Sequence, residues 1–121
     1  MMSLNLAALE KTVVDALQDV KAHDIEVFDT TTVTPLFDRV IVASAESNRQ
    51  TRALARHVQA QVKEAGSEVI SVEGEDNGEW ILVDLADIIV HIMQPAVRKY
   101  YNIEELWSAK PSDIPKSATG N

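Results

Sequence analysis

Hydrophobic positions along the chain follow two periods. Leu6, Leu9, Val13, Leu17 and Val20 recur at steps of three and four, which predicts an amphipathic helix over about 4–22. Asn5 or Ser3 supplies its cap. His23-Asp24 breaks the pattern, and Ile25–Asp29 and Val40–Ala43 read as short strands joined by a β-prone connector over Thr30–Leu36. A second helix over Asn48–Ala65 turns Leu54, Val58 and Val62 inward, with Gly66 placed as its stop. Val69–Glu73 reads as a third strand and Gly74–Gly78 as a polar turn.

The centre of the pattern is the pair of β-branched runs Trp80–Val83 and Ile88–Met93, too short for separate helices and bounded by turn residues. They predict an antiparallel hairpin. A connection through residues 85–87 sets Trp80 opposite Ile92, Leu82 opposite Val90 and Asp84 opposite Ile88. Ile81, Val83, Ile89 and His91 then line the other face. Both faces are largely apolar, so cover is expected on both: helices on one, helix or a partner on the other. Pro95 opens a short helix to about Tyr101, and Ile103–Trp107 makes one more turn. The order implies an α/β fold of α+β-like type: a mixed sheet of about five strands flanked by helices, with a parallel, right-handed crossover through 40–72. Residues 1–107 form one domain. Residues 108–121, rich in Ser, Lys, Pro and Gly, are expected to be a disordered tail.

Composition narrows the function. The 121 residues suffice for one real core. Eleven basic against nineteen acidic side chains give a net charge of −8. Such a chain is a poor generic binder of nucleic acid and well suited to a basic protein surface. Without cysteine there is no disulfide, thiolate metal site or cysteine nucleophile. The start lacks a signal-peptide pattern and no apolar run approaches a membrane span of ~20 residues, so a soluble, cytoplasmic protein with no membrane partner is expected.

Glu73, Asp84, Asp87 and His91 are the one cluster resembling a metal or acid–base site. The expected register puts Asp84 and His91 on opposite faces, which favours turn acids plus a hydrogen-bonded histidine. Phosphate loops, nucleophile elbows and zinc-protease motifs are missing, so neither catalysis nor a cofactor is expected. Arg49, Arg52 and Arg56 share one helix side with Lys63. They read as a solvated face or as a strip touching phosphate. Four of the six aromatics, Trp80, Tyr100, Tyr101 and Trp107, fall in the last third. Trp107 more simply packs the terminal turn. Trp80, directly after the acidic turn 75–79, reads equally as core or as an interface anchor.

These residues resemble the ribosomal silencing factor, or Iojap (RsfS), family over residues 6–107. The marks are Asp38–Ser44 followed by Ser47–Gln50, Glu73-Gly74, Gly78–Asp84, Asp87–Met93 and Arg98–Trp107, in the family's order and spacing. Arg39 and Val40 stand where an aromatic is common, and Ala45 and Ala86 where glycine is. The resemblance implies a non-enzymatic protein that binds the large ribosomal subunit through ribosomal protein fourteen. It blocks joining of the small subunit and represses translation under nutrient limitation or slow growth, with a role in large-subunit biogenesis. It also implies homodimers and a fold similar to nucleotidyltransferases, whose active-site carboxylate pair is missing here. On this reading Trp80 is the anchor, Asp84, Asp87 and Glu73 are acidic partners, and Arg98, Tyr100, Tyr101 and Glu104 are second-tier contacts. Contact of the arginine strip with ribosomal RNA is incidental. The competing reading, a metal-dependent nucleotidyltransferase or hydrolase, predicts stabilisation by nucleotide or divalent ion. A third, a homodimeric scaffold, predicts a dimer that survives contact with ribosomal protein.

Overall fold

A computed structural model describes residues 5–108; of the tail expected over 108–121, Ser108 instead closes the last helix, and 109–121 lie outside the described residues. The first helix, α1 (Leu6–Asp19), starts where Asn5 Oδ1 accepts the Ala8 N–H at 2.8 Å. This removes one of the unpaired donors of a helix start. Lys21 and Asp24, both at positive φ, turn the chain into β1 (His23–Asp29). β2 (Arg39–Ser44) leads through the Ser47 cap into α2 (Asn48–Glu64), which ends at Gly66 with φ 92°. β3 (Ser71–Glu73) is shorter than the expected strand, although Ile70 still donates to the Asp84 carbonyl at 2.8 Å. β4 (Trp80–Asp84), β5 (Ile88–Met93), α3 (Pro95–Tyr101) and α4 (Ile103–Ser108) complete the domain.

The five strands lie in the order β1-β2-β5-β4-β3. β5 is central and parallel to β2, while the β1–β2, β4–β5 and β3–β4 pairs are antiparallel. β2 and β3 therefore run the same way, but the crossover through α2 carries β3 past β5 and β4 rather than beside β2.

The hairpin register differs from expectation by one residue. Trp80 faces Met93, Leu82 faces His91 and Asp84 faces Ile89. The connection is tighter than three residues: Leu85 N–H donates to the Ile88 carbonyl at 2.9 Å, and Asp87 N–H to the Leu85 carbonyl at 3.0 Å. Ala86 sits at the apex with φ 73°, a γ-turn geometry that glycine adopts more easily. Because side chains alternate, a one-residue slip exchanges faces across the pair. Ile88, Val90 and Ile92 join Ile81 and Val83 in the main core, against Leu9, Val13 and Leu17 of α1 and Leu54, Val58 and Val62 of α2. Trp80, Ile89 and Met93 take the other face, and Leu82 and Asp84, which alternate with β4's core residues, share it with His91. There Val40, Val42 and Met93 are covered by Val97, Ile103 and Trp107 from α3 and α4, together with Phe28 and Phe37. The second face is only partly covered.

Candidate partner-binding surface

The surface begins at the turn before β4. Gly74 has φ +91°, and a Cβ there would lie 2.1 Å from the Trp80 carbonyl oxygen, so only glycine lets the turn approach the strand. Thr51 Oγ1 donates to the Gly78 carbonyl at 2.6 Å. Arg52 donates to the carbonyls of Glu75 and Asp76, each at 2.7 Å. Helix α2 thus grips the acidic turn by its backbone and fixes where Trp80 starts. Arg52 is committed to this task, whereas Arg49 and Arg56 are exposed.

Trp80 is half-buried. Its indole N–H donates to His91 Nδ1 at 2.9 Å, and its ring lies 4.9 Å from that of Tyr101 and 5.8 Å from that of His91. Burial lowers the His91 pKa to about 4, so the ring is neutral at pH 7. With Nδ1 accepting, its proton sits on Nε2. Tyr100 crosses Tyr101 edge-on at 4.9 Å and is 81% exposed. An aromatic row therefore runs from the sheet to the surface.

Beside Trp80 a hollow of about 300 Å³ is lined by Glu73, Gly74, Trp80 and Leu82. On the same face a second, of about 470 Å³, is lined by Leu36, Phe37, Ile70, Ile89, Asp84, Ala86 and Asp87. Leu36 and Ile70 are 78% and 57% exposed. Asp84 Oδ1 holds the turn through the Ala86 N–H at 2.8 Å. The Asp87 carbonyl accepts from the Asp38 and Arg39 N–H groups while its side chain stays at the surface. The arrangement is an apolar floor with carboxylates at its edge.

Of the residues singled out in the sequence, Trp80, Glu73, Asp84, Asp87, Tyr100 and Tyr101 border this surface. Arg98 and Glu104 do not. The Arg98 side chain is 9% exposed and ion-paired to Glu26 and Glu104, each at 3.0 Å. Leu82, Ile89, Leu36 and Ile70 escaped the sequence reading. The alternation Trp80-Leu82-Asp84 carried a signal for Leu82, but Ile89 needed the correct register. Asp84 and His91 share a face, contrary to expectation, yet among the described residues no group of three or more His, Asp or Glu is arranged to hold a metal ion. Among the same residues no helix is long and apolar enough to cross a membrane.

The class is thus an α+β domain whose mixed sheet is sealed by two helices on one face and left partly open, with an acidic edge, on the other. The family described as "Ribosomal silencing factor during starvation" matches residues 4–120, and the chain belongs to it. The match continues beyond Trp107, where the sequence resemblance stopped. A relative from Chromobacterium violaceum, "Ribosomal silencing factor RsfS", is 49% identical over 110 residues, covering 90% of each chain. A crystal structure of a protein from the same organism superposes with a TM-score of 0.85 at 47% identity, covering 95% of this chain and 97% of the other. A more distant mouse relative, "Mitochondrial assembly of ribosomal large subunit protein 1", is 26% identical over 103 residues, covering 83% of this chain and 45% of the mouse protein.

Proposed function

We propose that the chain binds the large ribosomal subunit through ribosomal protein fourteen and keeps the small subunit from joining, repressing translation when nutrients are limiting. The observation that carries this is the open sheet face: Trp80, Leu82 and Ile89 beside Glu73, Asp84 and Asp87, on a chain of net charge −8. An apolar centre with an acidic rim suits a basic protein and repels bare RNA phosphate. The name of the mouse relative supports the same subunit as target. Blocking of this kind needs occupancy and bulk, not chemistry, so neither catalysis nor a cofactor is part of the proposal. The protein acts in the cytoplasm, and off the ribosome it pairs with a second copy.

The test is sedimentation of purified ribosomal subunits with the wild type beside Trp80→Ala. The wild type is expected to travel with free large subunits and to lower the joined-ribosome peak. Trp80→Ala is expected to lose ~2 kcal/mol or more of binding, as truncated hot spots do, while its circular dichroism stays that of a folded protein. A wild type that remains at the top of the gradient sinks the proposal.

A further inference from the structure

Four elements meet at one guanidinium. Arg98, in the last turn of α3, donates from Nη1 to Ser44 Oγ at the end of β2 (2.8 Å) and from Nη2 to Glu26 on β1 (3.0 Å). It also grips Glu104 of α4 side-on, Nε to Oε1 at 3.1 Å and Nη2 to Oε2 at 3.0 Å. Arg98 is 7% exposed, and the Glu104 side chain 22%. A planar fork making two parallel bonds to one carboxylate fixes direction as well as distance.

What this fork holds has little stability of its own. Helices α3 and α4 have 7 and 6 residues, too short to persist without packing. They join through Asn102, in the left-handed region at φ 48°. Trp107, against Phe37 at 5.3 Å, ties down the far end of α4. Beside Arg98, α3 contributes one apolar contact to the sheet, the half-buried Val97 against Val40, Val42 and Met93, and Tyr101, three residues on, is the residue that lies against Trp80.

We infer that Arg98, with Ser44, Glu26 and Glu104, is a positioning group for the partner surface: it fixes α3 so that Tyr100 and Tyr101 extend the aromatic row from Trp80, without touching the partner. This rests on the proposed binding role for its consequence and on the fold alone for its geometry, so the two are tested separately. The geometric readout is the Trp80 indole N–H signal in nitrogen-15 NMR spectra of the full chain, assigned by its disappearance in Trp80→Phe. The functional readout is co-sedimentation with large ribosomal subunits.

Arg98→Met and Glu104→Gln are expected to move the Trp80 signal and weaken co-sedimentation about tenfold, less than the hot-spot effect on the logarithmic scale. Arg98→Lys is expected to restore little, because an ammonium cannot reproduce the fork. If Arg98→Met fails to fold, Glu104→Gln and Ser44→Ala, which remove less of the network, decide the matter. Folded variants in which the Trp80 signal stays in place overturn the inference, whether or not binding falls; a fall alone would make Arg98 or Glu104 a direct contact. A wild type that does not co-sediment sinks the ribosomal proposal, while the NMR comparison still decides the positioning role.

Discussion

His91 shows how much one residue's state depends on its partners. Its imidazole is 8% exposed and accepts from Trp80, and burial lowers its pKa from 6.5 to about 4. Between those values the unfolded chain binds a proton that the folded chain refuses, so stability rises with pH across this window. The contribution is fully present above pH 6.5 and is lost on acidification through pH 6.5 toward 4, to the extent of ~3 kcal/mol. His23, whose pKa is raised chiefly by its hydrogen bond to Asp24, contributes in the opposite sense. Urea titrations at pH 7 and pH 4.5 should therefore show a smaller loss in His91→Gln than in the wild type. An equal loss in both would place the acid sensitivity elsewhere. At this scale the helix ends were legible, because Asn5 and Gly66 act through bonds or dihedrals within a few residues. Trp80 was not: whether it is core or contact depends on His91 across the hairpin and Tyr101 on another helix.

Elements were legible where periodicity is local, and misread where a turn sets register. Helix α2 spans Asn48–Glu64 and α3 spans Pro95–Tyr101, both close to what spacing and punctuation predict. The hairpin slipped by one residue because Ala86 takes a dihedral for which alanine gives no sequence signal. The same blindness affected the arginine strip, since helical spacing shows that Arg49, Arg52 and Arg56 share a side but not what lies opposite. Arg52 meets two backbone carbonyls of the acidic turn, and the other two arginines are exposed. Arg52→Ala should accordingly cost ~1–3 kcal/mol of folding stability by leaving those carbonyls without a charged donor. Arg49→Ala and Arg56→Ala should stay within about 0.5 kcal/mol. Chemical denaturation of the three variants measures this directly, and equal effects would mean that Arg52 does not hold the turn.

Over the whole molecule, charge decides which kind of partner approaches productively. The chain carries −8, and Glu73 and Asp87 project from the edge of the open face with exposed side chains. Asp84 is a poorer probe of this field because it also fastens the hairpin turn. For a basic protein partner, the acids accelerate encounter while the apolar floor sets how long the complex lasts. Neutralising both residues, as Glu73→Gln with Asp87→Asn, should slow association with purified ribosomal protein fourteen several-fold at low salt and leave dissociation nearly unchanged. The wild-type association rate should fall as ionic strength rises and the Debye length shrinks to about 10 Å at 0.1 M, and the variant should respond less. The sign discriminates between targets. Were ribosomal RNA the surface met first, removing two negative charges would relieve repulsion, so the variant would associate faster and added salt would help the wild type more. Stopped-flow association at two salt concentrations, with intact large subunits beside the purified protein, separates these outcomes, because protein steering and RNA avoidance predict opposite changes from the same two substitutions.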